Sequence, residues 1–190
     1  MGVVILWVTV IMAMSRAGLG VIDNRPLSYL GVNSSTARLF SIGLLLSSAG
    51  FVGFAFYIYR IYQPGRKFLI YFLIGQLGQI IAAIVPYGDN SKYRLIHTVA
   101  AFVLAFSLPL FIGSFARSQK IKPHAKLFKQ LFVFELLLFV VGMAIFTLTD
   151  GIAPIGEALP AIGFHIWICI ITLLPPIVLP EQKFKLKVPD

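Results

Sequence analysis

Residues 128–148 read FKQLFVFELLLFVVGMAIFTL, an apolar run broken in its middle only by Glu135 and Gly142. A helix needs about 20 such residues to cross roughly 30 Å of hydrocarbon, where no water can satisfy backbone groups. A soluble helix of this length would carry a polar face, and this stretch has none. Runs of the same kind recur along the chain, predicting six spans at about 2–20, 37–59, 67–86, 95–115, 128–148 and 158–179. Across all 190 residues 58% are hydrophobic and 12% charged, too apolar a composition for one soluble core.

Between the runs lie turn formers: Gln63-Pro64-Gly65, Pro86-Tyr87-Gly88-Asp89-Asn90, Lys122-Pro123 and Asp150-Gly151, with Pro175-Pro176 and Pro180 closing the last run. Links this short make successive helices antiparallel neighbours. The expected fold is a single all-α domain over 1–190, an integral membrane bundle of six antiparallel transmembrane helices. There is no internal repeat or low-complexity tract.

The basic residues sort onto alternate links. Arg60, Arg66, Lys67, Arg117, Lys120, Lys122, Lys126, Lys129, Lys183, Lys185 and Lys187 fall on one side, eleven against the five on the other: Arg16, Arg25, Arg38, Lys92 and Arg94. Retained Lys and Arg mark the cytoplasmic face, so both termini are expected inside a cell (plasma) membrane. Asp23, Asp89, Asp150 and Glu157 fall outside. The net charge of +9 is accounted for by this sorting, which argues against nucleic acid as a partner and for membrane lipids. The single cysteine, Cys169, excludes an intrachain disulfide. The first run is the shortest before Ser15-Arg16 interrupts it. A cleaved signal peptide is the competing reading there, but a basic n-region is lacking, and an uncleaved helix is preferred.

Few polar residues fall inside the runs, and any mechanism must use them. Glu135 is the costliest; it reads as a proton-carrying or substrate-contacting acid, or as an interfacial glutamate reaching Lys126 or Lys129. Gln76 and Gln79 share a face of the third span beside Gly75 and Gly78, which suits interhelical hydrogen bonds, or a polar pocket shared with Glu135. His97 and His165 lie in the outer halves of spans four and six. They suggest an outer polar cavity or, as a pair with Arg94 at the propionates, a b-type haem. His165, Cys169 and Thr172 share one face by spacing. His124 is a basic-loop residue. Gly43/Ser47 and Ala49/Gly53 have the spacing of close helix crossings, and Tyr57, Tyr59 and Tyr62 suit an interfacial aromatic belt. No phosphate loop, nucleophile elbow, close carboxylate pair or metal-ligand motif occurs.

Two segments carry a family resemblance: Arg25-Pro26-Leu27-Ser28-Tyr29-Leu30-Gly31-Val32 with Ala37-Arg38-Leu39-Phe40 and Gly43-Leu44, and Val85-Pro86 with Ile96-His97-Thr98-Val99-Ala100-Ala101. Together they resemble the six-span prokaryotic membrane protein family of unknown function related to DRAM-type (damage-regulated autophagy modulator) membrane proteins. The resemblance implies a six-helix bundle, matches His97 to the family's histidine, and implies almost nothing about activity. The residues themselves point to a non-enzymatic membrane protein, either an accessory subunit bound to other membrane-protein subunits or a lipid-associated factor. The alternatives are a small-molecule or proton-handling transporter component using Glu135, and a haem-binding cytochrome using His97 and His165.

Overall fold

A computed structural model of the chain describes residues 1–20, 25–85, 87, 90–120, 123–149 and 154–174. Outside them lie the turns at 88–89 and 150–151, Pro86, Asp23, Asp89, Asp150, Lys122, Pro175-Pro176, Pro180, and the basic tail Lys183, Lys185 and Lys187. The described residues form six α-helices: α1 Gly2–Ala17, α2 Ala37–Tyr62, α3 Arg66–Ile84, α4 Ser91–Ser118, α5 Ala125–Leu148 and α6 Pro154–Leu173. A short 3-10 helix, Leu27–Gly31, lies between α1 and α2, and no strand occurs among the described residues.

Five helices, α2 to α6, are long and apolar enough to cross a membrane. Large side chains such as Ile42, Leu46, Leu77, Leu137 and Val140 stand exposed on their outer faces. In water such a surface would drive aggregation, whereas in lipid it costs nothing, so the molecule is a multi-pass membrane protein. The first helix has 16 residues, about 24 Å of rise, and stops before the expected residue 20. Its stop is Gly18, whose φ of 65° is left-handed; its amide reaches back to the Ser15 carbonyl.

Helices adjacent in sequence pack on one another, and small residues set how closely. At Gly78 of α3, a Cβ would stand 2.6 Å from the Ala100 carbonyl oxygen and 3.0 Å from the Leu104 nitrogen of α4. Gly75 similarly receives Ser107, and Gly43 of α2 receives Thr9 of α1. Ala49 and Gly53 do not make the expected crossing: both are exposed, and nothing approaches Gly53 within 4 Å. The close approach falls one residue along, at Gly50, where a Cβ would stand 3.0 Å from the Gly2 Cα.

Aromatic rings fill the end of the bundle where Arg60, Arg66, Lys67, Arg117 and Lys129 gather. Tyr62, Phe68, Phe115 and Phe128 meet there from four helices, with Trp167 from a fifth. Tyr62 is therefore a core ring, 2% exposed, rather than a belt residue, while Tyr57 is exposed as a belt requires. Gln119, fully buried, ties α4 to the end of α2 by donating to the Tyr62 carbonyl at 3.1 Å.

Candidate functional site

The opposite end of the bundle is less tightly filled. There α4 and α6 scarcely touch, and a cavity of about 260 Å³ opens between α4, α5 and α6. Its walls are mostly apolar, including Phe102, Leu108, Met143 and Phe146, and its polar groups are Ser28, Tyr87, His97, Thr98 and Glu157. A second space of about 130 Å³ lies on the other side of Glu157, lined by Trp7, Gln79 and His165 among apolar residues. Leu104, Leu108, Glu157 and Ala161 border both spaces, so they form the partition between them.

Glu157 is the centre of this arrangement, and sequence reasoning gave it no role beyond an outer acid. It sits in the first turn of α6, where a carboxylate suits the helix dipole. Its oxygens accept from the Ser28 amide at 3.1 Å and the Ser28 hydroxyl at 3.2 Å. The first amides of a helix lack internal partners, so Glu157 caps the 3-10 helix from the far end of the chain. Thr36 completes the local structure by donating to the Leu30 carbonyl at 2.8 Å, with Leu30 and Thr36 both fully buried. Residues 27–36, ahead of α2, thus form a packed cover, with Ser28 lining one space and Leu27 the other. The available signal was an acid in a helix's first turn opposite a Pro-Leu-Ser start.

The two histidines are buried and differ in chemistry. His97 donates from Nδ1 to the Val85 carbonyl at 2.6 Å, since a carbonyl can only accept. In the neutral ring its Nε2 therefore carries a lone pair. His165 accepts at Nδ1 from the Trp7 indole at 3.0 Å, which puts its proton on Nε2, a buried atom with no partner among the described residues. His165 also stacks on Phe51 with ring centres 5.4 Å apart.

This geometry does not suit a haem between them. The histidines line different spaces, and the neutral His165 has one nitrogen taken by Trp7 and a proton on the other. Arg94 stands over the Tyr87 ring at 5.8 Å, with Tyr87 edge-on to His97 at 5.7 Å. His165, Cys169 and Thr172 do not act as one face, because His165 is buried while the other two are exposed. Among the described residues no three His, Cys, Asp or Glu side chains come together as metal ligands.

The remaining sequence candidates separate. Gln76 accepts from the Ser48 hydroxyl at 2.9 Å, and Gln79 donates to the Leu44 carbonyl at 3.0 Å and to the Ser47 hydroxyl at 2.9 Å. Both amides bind α3 to α2, and Gln79 also borders the smaller space. Glu135 lies elsewhere, fully buried between α5 and α6, its carboxylate set in the gap that Gly163 leaves by having no side chain. Neither of its oxygens has a partner among the described residues, and it lines neither cavity. No pocket shared by Glu135 and Gln76 forms, and Glu135 turns inward rather than toward Lys126 or Lys129.

No family model matches the chain, and no curated protein or solved structure matches it either.

Proposed function

We propose that this protein is a non-enzymatic, lipid-associated factor that spans a plasma membrane six times, with both termini in the cytoplasm and its site in the larger cavity. One observation carries the functional reading: a mostly apolar chamber among membrane-crossing helices has a few polar groups gathered at its covered end. That is the form of a site for an amphipathic molecule. The two segments behind the family resemblance are distant in sequence, yet Ser28 from one and His97 from the other line this chamber. Membership of that family is part of the proposal. An accessory-subunit role is compatible with it, the exposed apolar faces being open to other membrane-protein subunits as well as to lipid.

The sixth span in this reading is α1. It lies along α2 and, like the longer helices, exposes apolar side chains, among them Val4, Val8 and Ile11. An even number of antiparallel spans places both ends on one side, and the excess of Lys and Arg makes that side the cytoplasm. Reporter domains fused to either end are expected to be active only in the cytoplasm. A periplasmic or extracellular signal from one of them removes the six-span topology.

The functional test is retention of lipid. Purified in mild detergent, the protein is expected to hold a lipid that native mass spectrometry detects. Ala161→Phe, which fills the chamber from α6, is expected to release it while leaving the protein monodisperse. A parent protein that flies bare of lipid sinks the reading. A second reading, a proton-handling transporter component, is favoured by a separate observation, the buried unpartnered carboxylate of Glu135.

A further inference from the structure

Among the described residues, the polar end of the larger cavity is lined by several acceptors and by no Lys or Arg. The Ser28 hydroxyl proton is engaged by Glu157, leaving the serine's lone pairs. His97, which lines the chamber, keeps a lone pair on Nε2 in its neutral form, because its Nδ1 proton goes to Val85. Glu157 itself adds oxygens that can only accept while ionised. A phosphate or carboxylate entering the chamber would meet these lone pairs and, while Glu157 is ionised, a like charge in a medium of low dielectric, with only the Tyr87 and Thr98 hydroxyls among the lining groups able to donate to it.

From these atoms we propose that the chamber binds a neutral lipid whose head is a hydroxyl group, of the class of diacylglycerols and long-chain alcohols. The hydroxyl donates to His97 Nε2 beside Ser28, and the chain lies against Phe102, Leu108 and Phe146. At about 260 Å³ the chamber falls just below the range of about 300–1,000 Å³ that encloses drug-sized ligands. It therefore encloses the head and the first part of a chain. The rest runs out past Ala101, which lines the chamber and is also exposed on the lipid-facing side of α4. The proposal rests on the lipid-associated reading above and narrows it to one headgroup chemistry.

The test reconstitutes the full chain in phosphatidylcholine vesicles containing a diazirine-tagged diacylglycerol, or a phosphatidic acid with the same tagged chains. Cross-linked peptides are then identified by mass spectrometry. Diacylglycerol is expected to label residues 98–108 and 143–161, in competition with its untagged form, about tenfold more than phosphatidic acid, the ratio that one good hydrogen bond to a buried acceptor supplies. His97→Leu is expected to remove most of that preference, and His97→Gln, which can still donate to Val85 and accept from a ligand, to keep it. Equal labelling by phosphatidic acid would overturn the hydroxyl class and leave the lipid-associated reading standing. Labelling by neither probe overturns both, and a His97→Leu variant that labels like the parent overturns the role given to His97.

Discussion

Glu135→Met is expected to raise the thermal unfolding midpoint of the purified protein, a gain of stability from removing an ionisable residue. The carboxylate is fully buried, neither oxygen has a partner among the described residues, and a Gly163 Cβ would collide with it. An unpaired polar group in such a place costs about 1–3 kcal/mol, and replacing buried ionisable groups with apolar ones of similar volume is often stabilising. Methionine is unbranched, about as long, and flexible enough to follow the same gap. The expected gain is about 1–3 kcal/mol, with Glu135→Gln giving less because its amide is equally unpaired. A fall in the midpoint for Glu135→Met would show that the carboxylate holds α5 to α6. The same variants decide the transporter reading. If Glu135 carries protons, proteoliposomes of the parent take up substrate in response to a pH gradient and both variants lose that response. A parent without it ends the reading whatever the variants do.

Gly78→Leu is expected to be the most damaging single change in the bundle. A Cβ there would stand 2.6 Å from the Ala100 carbonyl oxygen and 3.0 Å from the Leu104 nitrogen. Both are backbone atoms, so no side chain can rotate out of the way and α3 must part from α4. Overpacking of a core costs about 1–3 kcal/mol, and an obstruction by backbone belongs at or above the top of that range. Separation would also disturb the chamber, since Leu104 borders both spaces. The measurement is the unfolding midpoint together with the yield of monodisperse protein. Gly53→Leu is the control, because Gly53 is exposed with nothing within 4 Å, and it is expected to change neither. Equal behaviour of the two variants would refute the close α3–α4 contact.

Helix placement was legible because the signal is crude: an apolar run of sufficient length needs no partner to be recognised. The ends were less so. The chain leaves α1 at Gly18 rather than continuing to residue 20, a matter of one left-handed residue. Which small residues make crossings was not legible at Ala49/Gly53, since the spacing rule is satisfied on several faces and only the position of α1 selects Gly50. The site was half legible. His97 and His165 stood out as polar atoms in apolar runs, yet their opposite hydrogen-bonding characters depend on Val85 and Trp7, partners no spacing predicts. Glu157 was hidden by sitting near a helix start, where an acid looks like a solvated end. Its meaning comes from Ser28, 129 residues away.

That long reach bears on how the site is held together. The cover over the chamber is built from residues between α1 and α2, but the group that caps it stands on α6, 129 residues further along. Trp7 likewise depends on His165, 158 residues later. Without α6, the Ser28 amide and the Trp7 indole both lose these partners. The chamber therefore depends on α6, and a chain truncated before α6 lacks one of its three helical walls and the group that caps its cover.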